Sequence, residues 1–189
     1  MLNFRALAGI CGAVWGIACS SVDAAHTPAP PCDPVCQDQV AVRALREGMK
    51  LIYNLKLQGN PVGEQDAMSA CPQGGKARVF GTATSNALQG ATEVELTYTF
   101  TDCKYVHVDA TPAENYQMTA SGSITQSGIL AVQPSATTAL LFHSDSFSID
   151  GSLYDPPLRY QAEACEFAAS QDGNDMSGLW CGREVGFRL

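Results

Sequence analysis

The run Thr92-Glu93-Val94-Glu95-Leu96-Thr97-Tyr98-Thr99-Phe100-Thr101-Asp102-Cys103 decides the fold. Val94, Leu96, Tyr98 and Phe100 alternate with Glu93, Glu95, Thr97, Thr99 and Thr101. A period of two puts the first set on one face of a strand and the second on the other. β-branched and aromatic residues suit such a pleated surface. One greasy face and one wet face is the signature of an antiparallel sheet.

More strands follow the same pattern. Arg78–Thr84 precedes the run, and Tyr116–Thr125, with Tyr116, Met118, Ala120 and Ile124 on one face, comes after it. Ile129–Val132 and Thr137–His143 flank Pro134-Ser135, which cannot lie in a central strand. Phe147–Tyr154 stops at Asp155-Pro156-Pro157. Arg159–Ala169 and Met176–Val185 form a closing hairpin around Gln171-Asp172-Gly173-Asn174. The expectation is six or seven strands. Glycines fall mid-strand at Gly81, Gly122, Gly151 and Gly178, where they weaken a strand unless the sheet bends or something comes close. They predict a curved sheet, a half-barrel or barrel.

Upstream, the composition changes. Asp33 is a good N-cap and Pro34 fits the first helical position, where its missing N–H costs nothing. Ala41, Val42, Leu45, Gly48, Met49, Ile52 and Leu55 recur at steps of three and four, opposed by Arg43, Arg46, Glu47 and Lys50. Gly59 and Pro61 stop the helix. That gives about 25 residues, roughly 37 Å of helix. Asn60–Gly75 has no periodicity and reads as loop, with at most one helical turn near Asp66–Ala70. The fold class is therefore α+β: one long N-terminal amphipathic helix packed on a curved, mostly antiparallel sheet.

The first residues read as a leader. Arg5 is a positive n-region and Ala6–Ala18 a short apolar stretch. Val22-Asp23-Ala24 offers small residues for signal cleavage, which makes residues 1–24 the signal peptide. Gly16-Ile17-Ala18-Cys19 resembles a bacterial lipoprotein box, with Gly16 where Leu is usual. In that case the leader is 1–18 and Cys19 carries lipid. Residues 25–33 are an extended Pro-rich spacer, and 34–189 form one domain. Both exits export the chain, to periplasm or medium, free or lipid-anchored.

Six of the eight cysteines lie beyond the leader: Cys32, Cys36, Cys71, Cys103, Cys165 and Cys181. An even number in an oxidising compartment reads as three disulfides. Cys32 with Cys36 and Cys71 with Cys103 are natural pairs. Cys165 faces Cys181 if the last hairpin has a three-residue loop over Asp172–Asn174, and Trp180 if it turns on Asp172-Gly173. Cys32-x3-Cys36 lacks the second ligand pair a zinc site needs.

The net charge of −8 argues against nucleic acid, which requires a positive surface. No G-x-S-x-G, P-loop, G-x-G-x-x-G or H-E-x-x-H is present. The histidines are His26, in the spacer, His107 and His143. His143 with Asp145 and Ser144 or Ser146 has triad residue types, but strand neighbours point to opposite faces. Asp172–Asp175 has half of a calcium loop without its closing Glu. Glu93 and Glu95 read as solubilising. No catalytic site, cofactor or metal is expected. The expectation is an exported bacterial envelope domain that acts by binding or structural contacts, with a protein partner among the candidates. The alternative is a lipocalin-like or half-barrel carrier of a small apolar ligand, its pocket lined by Tyr98, Phe100, Tyr116, Met118, Phe147 and Tyr160.

Overall fold

The computed structural model describes residues 31–58, 62–86, 90–131 and 137–189. The leader with Cys19, most of the spacer with His26, Gly59, Pro61 and Pro134-Ser135 lie outside the described residues. The architecture is one helix, α1 (Pro34–Lys56), and one sheet of eight strands. These are β1 (Gly63–Ala70), β2 (Lys76–Asn86), β3 (Ala91–His107), β4 (Tyr116–Ala131), β5 (Ala139–Leu153), β6 (Leu158–Asp172), β7 (Asp175–Trp180) and β8 (Arg183–Arg188), with a 3-10 turn at Pro112–Glu114. The strands run antiparallel in chain order, each hydrogen-bonded to its sequence neighbour. β1 and β8 do not pair, so the sheet is open. Both edge strands nevertheless touch α1, as do β2, β4 and β5 between them. The sheet therefore curls around the helix.

The helix begins as its sequence requires. Asp33 caps it by accepting from the Cys36 N–H at 2.9 Å, with Pro34 at the first position. Its burial is wider than a simple apolar stripe predicts. Asp38, Val40, Ala41, Val42, Ala44, Leu45, Arg46, Gly48, Met49 and Ile52 are all buried. At 100° per residue they cover an arc of roughly 240°. A helix lying on a flat sheet buries much less than that. The curl of the sheet moves Arg46, expected on the polar side, into the interior, while Leu55, expected in the stripe, is 59% exposed near the helix end.

The strand count corrects the sequence reading in three places. Residues 63–70, read as loop, form β1. β4 and β5 each run through positions read as breaks: β4 continues through Gln126-Ser127-Gly128 with its pairing intact, and β5 passes a bulge between Ser144 and Phe147 that shifts the register without ending the strand. The segment Met176–Val185 is two strands, divided at Cys181-Gly182. The last β6–β7 loop is neither of the two turns expected. Asp172 pairs with Asp175, which leaves Gly173-Asn174 as the turn.

A bulge also explains the end of the deciding run. Val94, Leu96, Tyr98 and Phe100 face inward as the alternation requires. Continuing it would send Asp102 into the core. Instead Asp102 adopts φ 46°, and the register shifts between Phe100 and Cys103. Cys103 turns inward and bonds to Cys71. Cys32 bonds to Cys36, and Cys165 to Cys181 with Cα atoms 4.7 Å apart. Three disulfides mark an oxidising, exported environment.

The mid-strand glycines mark close approaches. A Cβ on Gly81 would lie 2.0 Å from the Glu95 carbonyl oxygen, and one on Gly151 would lie 2.1 Å from that of Gln117. Neither site has room for a side chain.

A buried polar chain ties the helix to the closing strands. The Asp38 carboxylate, 1% exposed, accepts from Tyr160 Oη at 2.8 Å and from Arg183 Nε and Nη2 at 2.5 and 2.8 Å. Tyr160 Oη in turn accepts from Trp180 Nε1 at 2.7 Å. Asp38→Ala should cost about 3 kcal/mol, because it strands the buried Tyr160 donor and breaks the ion pair. Arg183 is half-exposed and can return to water, which keeps the loss below the upper range. Guanidinium unfolding measures it. A loss below about 1 kcal/mol would show that the chain of bonds adds nothing.

Candidate functional site

The C-terminal half of α1 and one set of strand ends enclose a cavity of about 600 Å³. From the helix come Arg46, Glu47, Lys50, Tyr53 and Asn54, which recur one turn apart, with Leu57 at its C-cap. The sheet contributes Gln65 from β1, Ala83 from β2, Thr92 and Tyr98 from β3, Gln126 and Leu130 from β4, and Gln171 from β6. Val62, Thr138, Asn174 and Leu189 add to the walls.

The deepest residues are polar. Tyr98 is fully buried, Gln126 is 2% exposed and Arg46 is 7% exposed. Strand pairing sets them side by side. Gln126 lies opposite Leu96 on β3 and opposite Phe142 on β5. Tyr98 pairs with Ile124, two residues from Gln126 on the same face. The Arg46 guanidinium sits 5.5 Å over the Phe142 ring, and its Nε donates to Gln171 Oε1 at 2.9 Å. Gln171 is anchored by its own donation to the Gly173 carbonyl at 2.8 Å.

Among the described residues, no carboxylate forms a salt bridge with Arg46. Glu47, on the wall, lies 3.7 Å from Lys50. Burial lowers the Arg46 guanidinium pKa, opposed by Tyr98 and Glu47 nearby, yet an arginine stays protonated. Burial pushes the Tyr98 phenol far above its ordinary range, so it keeps its proton and remains a donor. Five buried side-chain atoms have no hydrogen-bond partner among the described residues: Tyr98 Oη and Gln126 Oε1, whose residues line the cavity, and Arg43 Nε, Tyr105 Oη and Ser144 Oγ, whose residues do not. Buried polar atoms are nearly always satisfied. The feature particular to the cavity is the buried Arg46 guanidinium on its wall.

Of the six residues expected to line a pocket, Tyr98 reaches this cavity. Phe100, Met118, Phe147 and Tyr160 are buried in the core, and Tyr116 packs against it half-buried. Phe147 sits edge-on to Phe100 at 5.7 Å and 6.5 Å from Trp180. Arg46, Gln126 and Gln171 were not anticipated. Their signal was available: Gln126 follows Ile124, and Gln171 follows Ala169, at the inward period of two.

The other chemical candidates stay apart or exposed. His143 Nε2 lies 3.1 Å from Asp145 Oδ1 on the outer face, while Ser144 points inward and is buried. Ser146 is exposed beside the bulge. Glu93 and Glu95 face outward. His107, Asp109 and Glu114 bring ligand-type atoms within 4.8 Å of one another. That group is largely exposed, with His107 stacked on Tyr116 and Glu114 3.7 Å from Arg43. Asp172 and Asp175 are paired strand residues flanking a turn. Among the described residues no helix is long and apolar enough to cross a membrane.

No family model, curated protein or solved structure matches this chain. The functional reading therefore rests on the cavity.

Proposed function

We propose that this protein is an exported binding domain of the bacterial envelope, which holds a small polar ligand in the cavity between α1 and the strand ends. The observation that carries the reading is the cavity itself, with the buried Arg46 guanidinium on its wall and no carboxylate in a salt bridge with it among the described residues. At about 600 Å³ the cavity falls within the range of small-molecule sites. Its buried guanidinium favours a polar ligand over an apolar one, since an apolar body would leave that charge desolvated without a partner. The chain acts by binding and not by catalysis, either free in the periplasm or medium or tethered through Cys19.

Native mass spectrometry of protein purified from an oxidising compartment tests this reading. The expected result is extra mass that leaves on denaturation. A bare mass, together with no thermal shift from a library of polar metabolites, would sink it. The same spectrum reads the N-terminus, either a lipidated Cys19 or Ala25.

A further inference from the structure

The Arg46 guanidinium is held at its inner side and open at its end. Its Nε donates to Gln171 Oε1 at 2.9 Å, and one of its faces lies 5.5 Å from the centre of the Phe142 ring. Gln171 is itself fixed by donating to the Gly173 carbonyl. The hydrogen bond that Arg46 makes among the described residues is the one from Nε. Its two Nη atoms, unlike Arg43 Nε, are not sealed away without a partner. The Nη edge therefore opens on the cavity that Arg46 lines. From this we infer that the ligand is a small monocarboxylate, bound end-on by the two Nη groups. The inference rests on the binding reading above.

Charge sets the class. Arg46 is 7% exposed and stays protonated. A guanidinium taken out of water needs an opposite charge, and neither the Gln171 amide nor the Phe142 ring carries one. The charged side chains on the walls are Arg46, Glu47 and Lys50. Glu47 lies 3.7 Å from Lys50. It also acts on the guanidinium through space, but one carboxylate cannot balance two cations. One positive charge remains. A neutral ligand leaves it unbalanced. A phosphate monoester, at about −1.5 to −2 near neutral pH, overshoots it.

Shape agrees with charge. Two coplanar carboxylate oxygens match the two parallel N–H groups of a guanidinium edge. Gln171 is a positioning residue in this arrangement. By occupying Nε it closes the side-on approach and aims the other edge outward. The remaining walls mix Leu57, Ala83 and Leu130 with Asn54, Thr92 and Thr138, so the body of the ligand is tested with several chemistries.

Isothermal titration of the oxidised protein at neutral pH uses acetate, hexanoate, benzoate and D-gluconate, each against its own amide. Each pair shares a body and differs in charge. Saturable binding of at least one carboxylate is expected, with its amide at least about tenfold weaker, the worth of one charged hydrogen bond. Phenyl phosphate should bind no tighter than the best carboxylate. Arg46→Gln should weaken that carboxylate roughly thirtyfold or more. Gln171→Glu sets an internal carboxylate against Arg46 in a side chain of nearly the same shape. It should weaken binding at least about tenfold, with the ligand-free protein still folded by circular dichroism. An arginine serving structure alone would leave affinity unchanged.

The inference is overturned if no carboxylate binds, or if Arg46→Gln binds as the parent does. Where Arg46→Gln does not fold, Gln171→Glu decides in its place. An amide or phenyl phosphate that binds tighter than every carboxylate overturns it while leaving the binding reading standing. Silence from all nine compounds, with a bare mass in the native spectrum, removes both.

Discussion

Reduction of the three disulfides is expected to remove about 9 kcal/mol of stability. The loops they close are separate along the chain, spanning 4, 32 and 16 residues, so their effects on the unfolded ensemble add. Loop-closure entropy assigns about 3.7 kcal/mol to Cys71–Cys103, about 3.1 to Cys165–Cys181 and about 1.9 to Cys32–Cys36. Domains of this size are stable by about 5–15 kcal/mol. The reduced chain should therefore be unfolded or nearly so at neutral pH. Urea titration of oxidised and phosphine-reduced protein, followed by circular dichroism, measures the total. Paired Cys→Ala variants give the order. A reduced form within about 3 kcal/mol of the oxidised one, or a Cys32–Cys36 deletion as costly as that of Cys71–Cys103, would contradict the chain-entropy account.

Alkaline pH should produce the second large effect. Burial raises the pKa of Tyr98, Tyr105 and Tyr160 far above the ordinary phenol value, and pushes Tyr116 up to about 12. At Tyr160 the bond to Asp38 adds to the rise, while the one from Trp180 opposes it. The folded state holds these protons where the unfolded chain releases them near pH 10. The stabilisation is complete below pH about 10 and is lost as pH rises toward the folded values. Each of the three buried tyrosines, Tyr98, Tyr105 and Tyr160, contributes about 1.4 kcal/mol per pH unit in that window, so they give about 4 kcal/mol by pH 11, and the half-buried Tyr116 adds less because solvent screens it. Denaturant midpoints from pH 8 to 11 test the slope, and absorbance at 295 nm tests the cause. Reversible ionisation of most tyrosines near pH 10, with the fold intact, would refute it.

The sequence made some elements plain and hid others for physical reasons. The start of α1 was legible because Asp33-Pro34 is a strong local signal and the apolar steps that follow repeat over about four turns. β3 was legible because its inner face carries four large apolar residues in strict alternation. β1 was not, since it is an edge strand in which Ser69 alone is fully buried, and a hydrophobic pattern has nothing to report there. A bulge broke β5 into apparent fragments by shifting its inward phase from Ser144 to Phe147, while β4 keeps its phase and looked broken only because Gln126-Ser127-Gly128 carries no apolar residue. The turn at Cys181-Gly182 is too short to interrupt that phase visibly. The cavity was legible only through Tyr98. Arg46 stands one helical step beyond the apolar stripe, and whether it meets water or protein depends on how far the sheet curls, which no local pattern encodes.

The placement of α1 has a consequence for how the chain acquires its shape. Each strand pairs with the next in sequence, so the sheet grows hairpin by hairpin from contacts close along the chain. The helix is made first and covered last, because its buried arc is completed only when β8 reaches it through Gln39 Nε2 to the Gly186 carbonyl at 2.9 Å and the Arg43 guanidinium over Phe187. A polypeptide delivered N-terminus first thus leaves part of that arc, the flank at Gln39 and Arg43, uncovered until some 130 following residues have emerged. Until the last six-residue strand arrives, that flank of the helix has no cover.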